Sequence, residues 1–161
     1  MAESDVEARL AVLEAKEEIR ELIALYCATN DRMDSIDLLA SLFTEDAIMS
    51  NPTGSHTGRA AIHGYYTKFF DGSVKFSRHH VMNQVITILE PGVARHEAYF
   101  IAMLGRDGES KIVYGRYFDL LVKEADGWRF KDKINDIVAP TTLAAGWADG
   151  FPFHEPMQGT R

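Results

Sequence analysis

The chain has 161 residues, 46% hydrophobic and 25% charged, with a formal net charge of -7. Those proportions fit one soluble globular domain with its own core, and an acidic chain with no basic run longer than a pair is a poor nucleic-acid binder. A lone cysteine, Cys27, excludes an internal disulfide and fits a reducing compartment, the acidic start "MAESDVEARL" lacks the apolar stretch of a signal peptide, and no apolar run approaches the ~20 residues of a membrane span. The expectation is a single domain over 1–161, in the cytoplasm.

Val6, Leu10, Leu13, Leu22, Ile23, Tyr26 and Cys27 recur at helical spacing, which predicts one long amphipathic helix over 5–30. "NDRMDS" interrupts it, and Asp34 or Ser35 can cap a second helix, "IDLLASLF". "EDAIMS" reads as a short strand ended by the turn residues of "NPTGSHTG", and "RAAIHGYYTKFF" as a third helix closed by "DG". Strands are predicted at 79–90, 93–104, 111–123 and 128–138. The short turn-rich separators "EPG", "GRDGES" and "EADG" imply an antiparallel meander. Helices followed by a run of strands predict an α+β fold, with helices against one face of a curved sheet. In the tail, 139–161, proline and glycine break regular structure, while Trp147, Phe151 and Phe153 call for burial as a lid or subunit contact, a disordered end being the alternative.

Polar residues on apolar strand faces mark candidate sites. In "KIVYGRYFDLLV" the even positions are apolar or aromatic except Arg116, which needs a carboxylate or an anionic ligand. A hairpin pairing Leu120 with Phe130 and Val122 with Trp128 makes Asp132 its structural partner; substrate binding is the alternative. In "VARHEAYFIAML" the even positions are small or apolar around His96, either a satisfied core histidine or part of a cavity wall. Near the end of the first helix stand Tyr26, on the apolar stripe, and Asp31, an acid that the helix dipole disfavours unless something holds it. In "SRHHVMN", neighbouring side chains of a strand point to opposite faces. Only one of His79 and His80 looks inward, and alternation does not decide which.

"EEIRELIALYCATNDRMDSIDLLASLFTEDAIM", "GRAAIHGYY", "RHHVMNQVI" and "GWRF", in that order over about 10–138, resemble the SnoaL-like branch of the nuclear transport factor two-like superfamily. The resemblance implies a cone: a bent antiparallel sheet wrapped around three helices and enclosing a pocket. The chain looks most like the group containing scytalone dehydratase, a bile-acid dehydratase and hexachlorocyclohexane dehydrochlorinase. The resemblance places the acid of an Asp–His dyad on Asp31 and its histidine on His79, through His-x-x-x-Asn ending at Asn83. It matches a tyrosine to Tyr26 and, on the following strand, a polar group to His96. It implies a cofactor-free lyase that eliminates water or a similar group from a small cyclic or aromatic hydrophobic substrate. Catalysis is expected from Asp31 and His79, and substrate contacts from Tyr26, His96 and Arg116. A homo-oligomer, trimer or dimer, is also implied. The alternatives are a cofactor-free isomerase, cyclase or hydrolase in the same pocket, or a noncatalytic binding or dioxygenase-subunit-like protein. Asp31, His79 and His96 have the composition of a non-haem iron site, but the close spacings of such sites are missing, and no metal is expected.

Overall fold

The computed structural model describes residues 2–146. Helices α1 (Ala2–Arg32) and α2 (Ile36–Ser41) lead into β1 (Phe43–Asn51), β2 (Gly54–Thr57) and helix α3 (Arg59–Phe69). Four long strands follow: β3 (Val74–Glu90), β4 (Val93–Arg106), β5 (Glu109–Glu124) and β6 (Gly127–Thr142). All six strands form one curved sheet in the order β2-β1-β6-β5-β4-β3, with the helices inside its curve. This is the expected α+β cone.

The structure adjusts several expectations. Ser35 stands at the α2 N-cap position, but no side chain caps the helix; its hydroxyl donates to Asp34 instead. Gly54–Thr57, expected as a turn, is a strand paired antiparallel with β1. β1 runs parallel to β6, with Met49 opposite Lys133, so the sheet is mixed. β1 and β6 are not joined by a tight turn, so no hairpin forces them antiparallel. β3 starts five residues earlier than expected. β6 runs on through Pro140, which stands opposite Val113. Beyond Ile134 the other edge of β6 has no partner strand among the described residues, and a proline is tolerated there. Trp147, Phe151 and Phe153 lie outside the described residues.

The core forms where α1 lies across the sheet. Ile19, Ile23 and Tyr26 of α1 are buried with Phe43, Leu121 and Phe130 of the strands. The Tyr26 ring meets Phe130 edge-on with centroids 5.3 Å apart and Tyr117 likewise at 6.2 Å, the geometry aromatic quadrupoles favour.

Two bulges decide which side chains face this core. In β3 the pairing with β4 slips between Met82 and Val85, where Asn83 takes a positive φ of 54°. Before the slip Ser77, His79 and Val81 turn inward; after it Ile86 and Ile88 do. The second slip, between Leu120 and Leu121, sets Leu121 against Phe130, Asp119 against Lys133 and Arg116 against Asp136. The inward residues of β5 are therefore the odd ones, Tyr117, Asp119 and Leu121. The expected Leu120–Phe130 and Val122–Trp128 pairs do not form, and the apolar even positions face outward.

Candidate active site

Asp31 is the penultimate residue of α1, where the unsatisfied carbonyls repel an anion. Three donors offset that repulsion. Asp31 Oδ1 accepts from the His79 ring Nδ1 at 2.7 Å and from the Ser77 hydroxyl at 3.1 Å, while Oδ2 accepts from the His79 backbone N–H at 3.0 Å. Burial works against ionisation of Asp31, but the His79 ring, the His79 N–H and the Ser77 hydroxyl outweigh it and hold the carboxyl below the usual range. An ionised carboxylate only accepts, so His79 Nδ1 carries the hydrogen of this bond; in the neutral ring that tautomer puts the lone pair on Nε2. The two side chains keep 14% and 16% of their exposure, so solvent and ligand reach them. His80 faces outward.

His79 stands between two hollows. On the inner side is a largely apolar cavity of about 150 Å³, walled by Phe69, Phe100, Leu104, Val113, Tyr117 and Ile137. Its polar points are few, as in ligand pockets generally. The hydroxyls of Tyr26 and Tyr66 meet at 2.8 Å; two O–H groups sharing one contact leave one hydrogen undonated by it. Burial raises both phenols well above their ordinary pKa, so they stay protonated. The Asn30 amide donates to the Tyr26 carbonyl, and Asn135 Oδ1 is buried with no hydrogen-bond partner among the described residues. On the other side, a cleft of about 350 Å³ runs between α1 and β3, lined in part by Arg20, Ala24, Cys27, Asp31, His79 and Gln84.

His79 and Tyr26 thus line the inner cavity, while Asp31, bonded to His79, lines the cleft on the other side. The other two predicted contacts do not join them. Arg116 lies on the outer face of the sheet, its guanidinium on Asp136 at 2.6 Å and stacked over the Phe118 ring at 5.1 Å. The shifted hairpin register, which puts the even positions outside, removes it from the cavity and from the expected partner Asp132. His96 is inward but sealed off. It stands opposite Ile86 and Asp119, beyond the β3 bulge, and its Nδ1 bonds Asp119 Oδ2 at 2.7 Å. Directly opposite His79 the strand carries Ala102, so β4 offers no polar group beside the dyad. His96, Asp119 and Lys133 form a fully buried ionic cluster, with the Lys133 ammonium 3.1 Å from Asp119 Oδ1 and 3.8 Å above the Tyr117 ring centre. Among the described residues no three His, Cys, Asp or Glu side chains converge as a metal site.

Tyr66, Asn135, Asp119 and Lys133 are not found by the sequence reading. Tyr66 is masked as the natural continuation of the Ile62 stripe on α3. Lys133 and Asn135 alternate on the inner face of β6, a pattern visible only once the bulge sets the register.

The chain thus combines a cone-shaped α+β fold with an acid–histidine pair beside an apolar cavity. The family model described as the SnoaL-like domain matches residues 11–133, and the chain belongs to that family. Among solved structures, it is similar to a candidate scytalone dehydratase from Novosphingobium aromaticivorans, at 26% identity over 81% of this chain and 89% of that one, with a TM-score of 0.76. A candidate aromatic ring hydroxylase from the same organism is also 26% identical, over 83% and 96% of the two chains, with a TM-score of 0.76. Hexachlorocyclohexane dehydrochlorinase, type 3, from Novosphingobium barchaimii shares the fold at 15% identity, over 86% and 96%, with a TM-score of 0.76. No curated protein matches by sequence. No helix among the described residues is long and apolar enough to cross a membrane.

Proposed function

We propose that this protein is a cofactor-free lyase of the dehydratase type, acting on a small cyclic substrate with a carbonyl and a leaving group on the carbon beyond its acidic position. The observation that carries this reading is the 2.7 Å contact of His79 Nδ1 with Asp31 at the wall of the apolar cavity. His79 Nε2 takes the proton beside the carbonyl, as imidazole can near neutrality. Asp31 holds the ring, fixes its tautomer and stabilises the imidazolium that forms. The undonated O–H of the Tyr26–Tyr66 pair hydrogen-bonds the carbonyl oxygen as negative charge builds on it. The C–O bond to the leaving hydroxyl then breaks, the imidazolium proton goes to that oxygen, and the products are an unsaturated ketone and water. A cavity of about 150 Å³ suits a single ring.

The test is incubation with a panel of cyclic β-hydroxy ketones, following enone absorbance, with α-hydrogen exchange of the parent ketones in D₂O followed by NMR. Turnover or exchange that falls by ~10³-fold or more in Asp31→Asn and His79→Ala supports the dyad. Equal rates in wild type and His79→Ala refute it. Ketone binding with neither turnover nor exchange would instead make the protein a noncatalytic binder.

A further inference from the structure

The solvent side of α1 carries a pattern the candidate site does not use. Ile19, Ile23 and Tyr26 face the core, whereas Val6, Leu10 and Leu13 are 60%, 52% and 64% exposed. At 3.6 residues per turn the two groups fall on opposite faces of the helix. The exposed group recurs at steps of four and three, and the same steps continue through Glu17, Arg20, Ala24 and Cys27 to Asp31. This seam changes character at its middle. Its first half is bulky and projects from the helix; its second half is small, and Ala24, Cys27 and Ala28 line the cleft of about 350 Å³ between α1 and β3. Glu17 and Arg20 stand at the junction, 3.0 Å apart and both exposed.

We propose that two copies of this chain dock antiparallel along the seam, the leucine half of each α1 lying in the small-residue cleft of the other. In that register Leu13 meets Ala24 of the second copy, Leu10 meets Cys27, and Glu17 meets Arg20. A two-fold axis makes each of these contacts twice. Shape supports the pairing, because large side chains of one half match the shallow floor of the other, as knobs match holes between helices. Charge sets the direction. An antiparallel pair brings each Glu17 beside the opposite Arg20, whereas a parallel pair stacks Glu17 on Glu17 and Arg20 on Arg20. The arm of each copy then runs toward the far end of the cleft, where the largely buried Asp31 and His79 line it, and covers the open side of the dyad. The inference stands whatever reaction the dyad performs.

Sedimentation equilibrium of the full chain tests it, with circular dichroism to confirm folding. Glu17→Arg and Arg20→Glu sit on exposed positions and should each weaken dimerisation at least ~10-fold by setting like charges together. The combined swap Glu17→Arg/Arg20→Glu should restore it. Under oxidation, Leu13→Cys with Ala24→Cys should give a covalent dimer, since eleven helical residues, ~16 Å, prevent a bridge within one chain. Burial pushes the Cys27 thiol up to about 12, which keeps it out of that reaction. A monomeric wild type overturns the proposal. So does an oligomer indifferent to both single charge reversals, or cross-linking by Leu13→Cys alone equal to that of the pair.

Discussion

The molecule holds two aspartate–histidine pairs of nearly the same geometry. In each, histidine Nδ1 lies 2.7 Å from a carboxylate oxygen. The Asp31–His79 pair joins the end of a helix to a strand and opens on two hollows. The Asp119–His96 pair joins two adjacent strands, is completely buried, and has the Lys133 ammonium on its other carboxylate oxygen. A hydrogen-bonded pair is therefore not by itself a site. Both rings leave Nε2 without a partner among the described residues; what distinguishes the first is a space beside it where another molecule fits. The second has the same groups but no room, and its charges serve the packing of Tyr26, Tyr117 and Phe130, whose rings surround the ammonium.

This difference can be broken experimentally. The largest effect on stability belongs to the sealed cluster. Lys133→Met strands Asp119 as a buried charge and should cost ~3–5 kcal/mol in chemical denaturation. Adding Asp119→Leu should recover part of that loss, because the charge left behind is gone. A cost below ~1 kcal/mol for Lys133→Met would mean that water reaches the cluster.

Gly115→Ala should come next. A Cβ there would lie 2.5 Å from Cε1 of Phe100, a ring stacked on Tyr117 with centroids 4.3 Å apart. Overpacking of this kind costs ~1–3 kcal/mol, read in the same denaturation experiment. It also pushes Phe100 toward the cavity, so binding of a ring-sized ketone should weaken, whereas Lys133→Met acts on stability first.

The two clusters also respond at opposite ends of the pH scale. The Asp31 carboxyl is held below its ordinary range, so its contribution is present above the unfolded value of ~3.9 and disappears as pH falls through the folded value. The stability gap between wild type and Asp31→Asn should shrink from pH 7 to pH 3. Burial pushes the Lys133 pKa down, against Asp119, which raises it. Between that lowered value and the unfolded ~10.4 the unfolded chain binds the extra proton. Wild type should therefore gain on Lys133→Met as pH rises through that window. A pH-independent gap for Asp31→Asn would show that Asp31 is not ionised against His79.

The smallest effect concerns the tyrosine pair. Tyr66→Phe removes one neutral hydrogen bond, worth ~0.5–1.5 kcal/mol, and should lower turnover of any ketone substrate more than it lowers stability.

Much of the architecture is written in local pattern. The three helices, the four long strands and the tight turns between them are legible because amphipathic spacing, alternation and turn residues act over a few neighbours. Asp31 and His79 are legible only through resemblance. Composition alone leaves Asp31 a turn acid, and alternation cannot choose between His79 and His80. The reason is the slip near Asn83: the inward set is His79 and Val81 before it and Ile86 and Ile88 after it, a combination that no unbroken period produces. The same cause hides Asn135 and misplaces Arg116. An extra residue in β6 shifts the hairpin, and a one-residue shift moves a side chain to the other face. The long α1 shows the helical equivalent. Its apolar residues look like one stripe but divide into a core-facing set and an exposed set on opposite sides.

The sequence by itself determined the fold class, the order of the helices and long strands, and the family, because these depend on short-range periodicity and on an ordered set of matching segments. Tertiary structure alone decided that Arg116 turns outward, that Tyr66 and Asn135 enter the cavity, and that His96 is locked against Asp119 and Lys133. Those outcomes depend on bulge positions and strand register, which are set by how whole surfaces pack and not by the residues next to them in the chain.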